Sequence, residues 1–445
     1  MGSVVLNGAT SGATTITPTD AVTVSLTLPS TSGTLALAGG STGTVNSGTQ
    51  YQLGYYASTG TAISGNANIK TDANSNLNLA ATSATLNSAN TFGFKNRIIN
   101  GGMVIDQRNA GASVATSGTS PTYTLDRWAA NFSQTSKYTV QQTPSTTETG
   151  YATRVAAGFQ NYLACTSTSA YSLGVTDLFS MVQRIEGYNI ADLAWGTANA
   201  KTVTLFAWVY SSLTGTFGGS IINSDVSRTY PFTYSIPTAN TWTQISVTIT
   251  GDTTGTWLTT NGVGMRVYFN LGCGTGLAAS AGTWIAGGYY GATGCVNVVG
   301  TNGATFYITG VQLEVGTQAT SFDFRDYGRE LMMCQRYYQA VSSPTGGFPY
   351  GISTAQVYAG TNVQGSLPLS CPMRATPSAT QTGVHLSGGS TGTADVLLSS
   401  FGTIYYDGKS NLLGFGGTVA STQTGGYNWS LYLSSTVGYQ LSAEL

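Results

Sequence analysis

The chain has 445 residues, of which only 7% are charged, far below the roughly 25% of an ordinary soluble domain. A formal net charge of −1 with no basic run excludes a nucleic-acid surface built on clustered Lys and Arg, and no run of apolar residues is long enough to cross a membrane as a helix. Aromatic residues make up 11% of the chain, 26 of them Tyr, and with 58 Gly they exclude a disordered composition and favour strands joined by tight turns.

The start, MGSVVLNGAT, lacks the basic and apolar regions of a signal peptide, so synthesis in a cytoplasm is expected. Residues 1–91 form the first segment and hold almost no charge; Asp20, Lys70 and Asp72 carry what there is. Val22–Leu28 alternates apolar and polar residues and reads as one strand, with Thr34–Leu37 as a second. No part of this segment can bury a core alone. Two readings stand: a flexible linker, or an extended β-rich stem completed by sister copies.

A central domain is expected over 92–325. FGFKNRIINGGMVIDQRNAG followed by YTLDRW reads as short strands at Arg97–Asn100 and Met103–Asp106 around the turn Gly101-Gly102. Asp106, Arg108, Asp126 and Arg127 are expected to form a structural ion-pair cluster that pins strand ends. Strand patterns then recur at short spacing, clearest in KTVTLFAWVYSS and WTQISVTIT, with Arg154–Val155 as a minor one and only Asn189–Trp195 briefly helical. About ten strands over about 230 residues suit a two-sheet sandwich of jelly-roll type. Five Cys with no CxxC give neither a disulfide framework nor a zinc site, so free thiols are expected, and Cys273 and Cys295 flank one Gly-rich segment as the pair open to late oxidation.

The stretch from Val311 to Gln339 concentrates charge in Glu314, Asp323, Arg325, Asp326, Arg329, Glu330 and Arg336. Its first residues, V-Q-L-E-V, alternate as a half-buried strand. The period then changes, and Tyr327, Leu331, Cys334 and Tyr338 fall on one stripe of a short linking helix at 326–340, capped by Asp326. That stripe is the expected oligomer interface. Beyond it, 341–445 reads as a second, small β-sandwich forming a tip. Alternation in YNWSLYL turns Tyr432 away from Trp429, so Tyr432 and Tyr406 are the candidate glycan contacts. The overall class is all-β.

ATSGATTITPTDAVTVSLTLPSTSGTLAL and GTQYQLGYYASTGTAISG resemble the virion-proximal segments of bacteriophage tail-fibre and related virion fibre proteins. NRIINGGMVIDQRN, YTLDRW and VQLEVGTQATSFDFRDYGRELMMCQRYYQ resemble hallmark strings of a group of phage and prophage fibre proteins, where they bracket a jelly roll similar to carbohydrate-binding modules. PLSCPMRATPS and the ending GYQLSAEL resemble strings of fibre tips. The resemblance implies a homotrimer on the virion, docked through its N-terminus on tail or capsid proteins and meeting host-surface glycan at its tip.

Asp177, Asp225 and Asp252 are scattered, so no metal and no cofactor is expected. No Gly-x-Ser-x-Gly elbow or HExxH string is present and His385 is the only His, so no catalytic residues are assigned. A receptor-binding fibre is therefore expected. A head fibre, decoration or tail-adaptor protein is the alternative, and a polysaccharide-cleaving spike ranks behind both.

Overall fold

A computed structural model describes residues 94–144, 146–342, 350–388, 396–419, 423, 428–433 and 438–445, together with five strands that precede them. Contacts divide the chain into Met1–Leu86 and Asn87–Leu445. In the first unit Val4–Asn7 pairs antiparallel with Ala13–Ile16, and Gln52–Tyr56, Ile63–Thr71 and Leu77–Leu79 form a three-stranded antiparallel sheet. The strands expected at Val22–Leu28 and Thr34–Leu37 lie outside the described residues.

The second unit begins with the expected jelly-roll sandwich. Among the described residues one sheet has six strands, in the order Thr243–Ile249, Val203–Ser211, Thr305–Val315, Tyr162–Ser167, Tyr138–Thr143 and Val114–Ala115. The facing sheet has seven, in the order Ile285–Ala286, Arg228–Ile236, Gly215–Asn223, Val263–Cys273, Leu178–Glu186, Trp128–Phe132 and Thr122–Leu125. Alternation does the sorting, because successive side chains of a strand point to opposite faces. Val203, Leu205, Phe306 and Ile308 of the first sheet meet Phe179, Met181, Phe217, Val267 and Phe269 of the second in one buried core.

Arg97–Asn100 and Met103–Asp106 are not strands, and Arg154–Val155 belongs to a short helix, Tyr151–Ala156. Residues 96–106 instead form an irregular arch that is largely buried yet pairs with no ladder. Buried amides and carbonyls must still be satisfied, and here side chains do much of it. Asn96 Oδ1 accepts from Ile98 N (2.9 Å) and from Leu313 N (3.0 Å), stitching the arch to the strand Thr305–Val315. Gln183 bonds both the amide and the carbonyl of Ile99, each at 2.8 Å. Asn100 spans the arch, with its carboxamide on Ile105 N (3.0 Å) and Ile105 O (2.8 Å). Glu330 accepts from Asn100 N, and Arg325 donates to the carbonyls of Asn96 and Ile98. Gly101 passes so close to the Val311 carbonyl that a Cβ there would overlap it.

The helix Tyr327–Gln335 follows, with the Asp326 side chain accepting from Arg329 N (2.9 Å) as the expected cap. The small sandwich expected over 341–445 takes a different form. Six strands, Tyr350–Ala359, Asn362–Pro368, Leu412–Val419, Val396–Tyr405, Val384–Gly388 and Asn428–Leu433, close into a barrel, and Tyr338–Val341, Tyr439–Ser442 and Ser378–Gln381 make a separate three-stranded sheet. Alternation marks which side of each strand is buried. It does not say whether the sheet's edges meet, and here Asn428–Leu433 pairs on both sides and closes the ring. Val357, Leu367, Leu398, Phe415 and Leu431 fill the interior.

Replacing Gly101 with Ala should destabilise the second unit by about 1–3 kcal/mol, the usual cost of forcing atoms into a packed site. Gly351→Ala, where a Cβ meets nothing within 4 Å, is the matched control. Denaturant midpoints of the two variants check this, and equal midpoints would contradict the packing described.

Candidate functional site

The helix stripe does not face outward as an interface. Cys334 is 0% exposed and Tyr338 3%, and Tyr338 already lies in the strand that follows the helix. Leu331 and Cys334 pack with Ile99, Ile105 and Tyr337, so the arch of the same chain covers the stripe. Only Tyr327, 63% exposed, is free of this packing. Of the four residues of the stripe, Leu331 and Cys334 lie on the packed side of the helix, and spacing alone could not tell an internal partner from a sister copy.

The two candidate glycan contacts are also displaced. Tyr432 is buried and packs against the His385 ring at 5.6 Å. Tyr406 is half-buried, and its hydroxyl bonds Met373 N (2.7 Å) and Met373 O (3.2 Å), which fastens the 371–374 bend to the barrel. In a closed ring both faces of a strand gain neighbours from adjoining segments, so alternation did not mark a solvent face. The neighbouring Tyr405 is the exposed one, at 64%.

No ion pair joins Asp106, Arg108, Asp126 and Arg127 to one another, and the two arginines pair elsewhere. Asp106 caps its own turn by accepting from Arg108 N, Asn109 N and Gly111 N. Asp126 accepts from Gln107 N and Gln107 Nε2, both at 2.7 Å. Arg108 and Arg127 both reach Glu444, and they stack over Tyr338 and Tyr337, with centroid distances of 3.7 and 3.6 Å. Nothing local to GYQLSAEL announces that Glu444 has partners some 300 residues away. Burial pushes the Asp126 carboxyl up from 3.8 to about 6, against the pull of Arg108 and the Gln107 hydrogen bonds.

The outer faces of the two sheets differ. On the six-stranded sheet Tyr210 and Tyr307 stack at 4.9 Å beside Tyr162 and Trp242. Arg154 lies over Tyr162 at 5.0 Å and pairs with Glu148 at 2.8 Å, so that aromatic face is closed by an internal ion pair.

On the seven-stranded sheet, register places three rows on the outer side. The first is Asn131, Ser180 and Asn270; the second is Ala129, Val182, Tyr268 and Ser220; the third is Arg184, Arg266 and Ile222. Tyr290, half-buried, stands edge-on to Tyr268 at 5.1 Å and 86°. Tyr123 closes one end, where its hydroxyl and Arg184 both donate to the Leu445 carbonyl oxygen. Arg266 is half-buried and props the turn at Asn223 and Ser224 through their carbonyls, but it makes no ion pair among the described residues. Burial lowers its pKa, as does Arg184, while Tyr268, Tyr290 and Asp225 work against this. Ser180 Oγ, Ser220 Oγ and Arg184 Nε are buried on this face without a hydrogen-bond partner. The face thus sets tyrosine rings, hydroxyls, two carboxamides and two guanidinium groups, some with unused hydrogen-bonding capacity, around a buried apolar centre of Ala129, Val182, Ile222 and Tyr268. The signal was present in VGMRVYFN, whose outward Arg266, Tyr268 and Asn270 are polar or aromatic, and more weakly in LFSMVQRIE, where Val182 stands between Ser180 and Arg184.

A second concavity, about 90 Å³, is lined in part by Phe159, Phe322, Phe324 and Asp323. The three rings meet at centroid distances of 4.9 to 5.3 Å, and Gly310, at φ +60, leaves room for Phe159. Arg325 and Glu330, also in its wall, are committed to the arch. Among the described residues no group of three or more His, Cys, Asp or Glu is placed to hold a metal ion.

No family model and no curated protein matches the chain. Among solved structures, the enzymatically active domain of tailspike protein 4 from bacteriophage CBA120 is similar over 50% of this chain and 21% of its own, at 13% identity and a TM-score of 0.25. A CBM4 structure is similar over 49% of this chain and 98% of its own, at 16% identity and a TM-score of 0.24. A family 11 carbohydrate-binding module from Clostridium thermocellum is similar over 47% of this chain and 100% of its own, at 10% identity and a TM-score of 0.23.

Removing one member of a buried ion pair leaves the other uncompensated, so Glu444→Ala should cost about 3–5 kcal/mol in urea unfolding. A loss below about 1 kcal/mol would mean that the pair behaves as an exposed one. Asp126 gives a pH signature. Its folded pKa lies above its unfolded value, so between 3.8 and about 6 the native state holds a proton that the unfolded chain lacks. Its contribution therefore favours folding as pH falls through that window and disfavours it as pH rises. Comparing unfolding midpoints from pH 4 to about 6.5, Asp126→Asn should lack this component. Identical slopes in the two proteins would refute it.

Proposed function

We propose that the protein is a non-catalytic glycan-binding fibre component of a bacteriophage virion, and that it holds glycan on the outer face of the seven-stranded sheet. The observation that carries the site is the half-buried Tyr290, edge-on to the buried Tyr268 at 5.1 Å, beside the part-exposed Asn131 and Arg266 and the buried Asn270 on one sheet face. Sugars present apolar C–H faces and many hydroxyls. Aromatic rings take the first, and carboxamides, hydroxyls and guanidinium groups take the second. The tip tyrosines first expected to do this work are engaged in packing, which moves the proposed contact from the barrel to the sandwich.

The virion assignment is supported by the strings quoted from the two ends of the sandwich and from the first ninety residues. Self-association, expected as a homotrimer, is assigned to residues 1–91, since the helix stripe is occupied within the chain. Several copies on one fibre would give weak single sites useful avidity. Binding rather than cleavage is the proposed role, because the face offers two arginines where a glycosidase needs two facing carboxyls. Docking on other virion proteins falls to the N-terminal unit in this reading.

Calorimetric titration of the full chain with envelope polysaccharide from a panel of bacteria tests the site. Tyr290→Ala should weaken binding by at least about ten-fold, equivalent to ~1.4 kcal/mol, while Tyr405→Phe on the barrel should leave it unchanged. The same affinity in the Tyr290 variant as in the parent would remove the sheet face from consideration.

A further inference from the structure

A small concavity of about 100 Å³ lies at one end of the seven-stranded sheet, and its lining includes Asn270, Cys273, Thr293 and Cys295. Two separate features bring the thiols there. The first is a β-bulge. Ser180 pairs with Asn270 but the preceding Phe179 pairs with Gly272, so Leu271 is an extra residue on its strand. An extra residue reverses the alternation beyond it. Leu271 stays in the core, and Cys273 comes round to the side of Asn270. The second is a gap in the adjoining strand Gly215–Asn223. Gly218 has no side chain, and the Cys295 sulfur lies 2.8 Å from where its Cβ would stand. Val296 N bonds Thr216 O (2.8 Å) and Thr293 N bonds Ala279 O (2.9 Å), which holds the Cys295 turn over that spot.

All five cysteines are free thiols. Cys165 and Cys334 are enclosed in separate apolar clusters, and Cys371 donates to Met332 O (3.5 Å) in a third setting. Only Cys273 and Cys295 share a space, and both are partly open to solvent.

We propose that Cys273 and Cys295 form an oxidation site: exposure to a low-molecular-weight disulfide joins them and ties the 274–294 segment to the end of the strand Val263–Cys273. The steps balance as two thiol–disulfide exchanges. One thiolate attacks the small disulfide, forming a mixed disulfide and releasing one small thiolate. The second cysteine thiolate then attacks the protein sulfur of that mixed bond, forming the internal disulfide and releasing the second small thiolate, while the two cysteine protons pass to solvent and the departing thiolates. The protein thiols are oxidised and the small disulfide is reduced to two thiols. Burial pushes the Cys273 thiol up to about 12 and raises Cys295 as well, so little thiolate is present at neutral pH and the first step is slow. A reducing medium keeps the pair as thiols and an oxidising one lets it close, at the slow rate that burial imposes.

The full native chain is incubated with oxidised glutathione at pH 8, then denatured, alkylated with iodoacetamide and mapped by mass spectrometry. The expected result is a linked peptide pair containing Cys273 and Cys295, about 2 Da below the sum of the two reduced peptides, with Cys165, Cys334 and Cys371 alkylated. Proteolysis of the native oxidised protein within 274–294 should be several-fold slower than in the reduced protein, and Cys295→Ser should carry glutathione on Cys273 instead of a link. Recovery of both peptides alkylated, or of both as separate glutathione adducts, would overturn the proposal. A link made instead by Cys165, Cys334 or Cys371 would overturn it equally.

Discussion

A length of chain without secondary structure runs through the interior of the sandwich end, and its backbone groups have to be satisfied by something. In a sheet the neighbouring strand does this. In the 96–106 arch the work falls to Asn96, Asn100, Gln183, Arg325 and Glu330, drawn from the arch itself, the strand Leu178–Glu186 and the segment around the junction helix. An unpaired buried amide costs about 1–3 kcal/mol, so each of these side chains is a structural requirement of the fold. This accounts for the concentration of charge in two strings of an otherwise nearly uncharged chain. It also accounts for the position of the junction helix, because Glu330 reaches Asn100 N and Arg325 reaches Ile98 O only when the helix lies against the arch.

The regular parts of this architecture were legible because their signal is local. Val203–Ser211 and Thr243–Ile249 alternate within a single strand's length, and their positions follow from it. The arch was not legible for the converse reason. Ile98-Ile99 and Met103–Ile105 look like strand fragments, while the Arg325 guanidinium that pairs with Ile98 O lies 227 residues away. Arg154–Val155 shows the same limit: two residues of strand-like pattern became a helical turn once Arg154 found Glu148 and the Tyr162 ring. Of the site, the class of side chain could be read but not its partner. The expected Asp–Arg cluster is real in composition, yet Arg108 and Arg127 pair with Glu444 rather than with Asp106 or Asp126.

That pairing changes the relation between sandwich and barrel. Tyr338–Val341 leaves the helix and pairs with Tyr439–Ser442, and the residues that follow run back onto the sandwich. There Ala443 N bonds Tyr337 O, Glu444 meets two arginines, and Arg374 donates to the carbonyls of Ala443 and Glu444. The charged members of this contact are buried or nearly so, and a pair of that kind gives positional definition more reliably than net stability. The barrel is therefore held in a set orientation on the sandwich by its last residues, and the apolar side of the helix is shielded in the process.

The contrast between the outer sheet faces then acquires a direction. Both carry tyrosines, and both bring an arginine to them. Over Tyr162, Tyr210 and Trp242 the arginine is fully buried and neutralised by Glu148, and the helix that carries it closes the surface. Beside Tyr268 and Tyr290 the arginine stays half-buried, makes no ion pair among the described residues, and shares its sheet face with serine hydroxyls that find no partner. Unmet hydrogen-bonding capacity carries a free-energy cost that a hydroxyl-rich occupant or ordered water would relieve on reaching it. Of two faces built from the same residue types, one holds its arginine in an internal ion pair and the other does not, and the proposed glycan site rests on that difference.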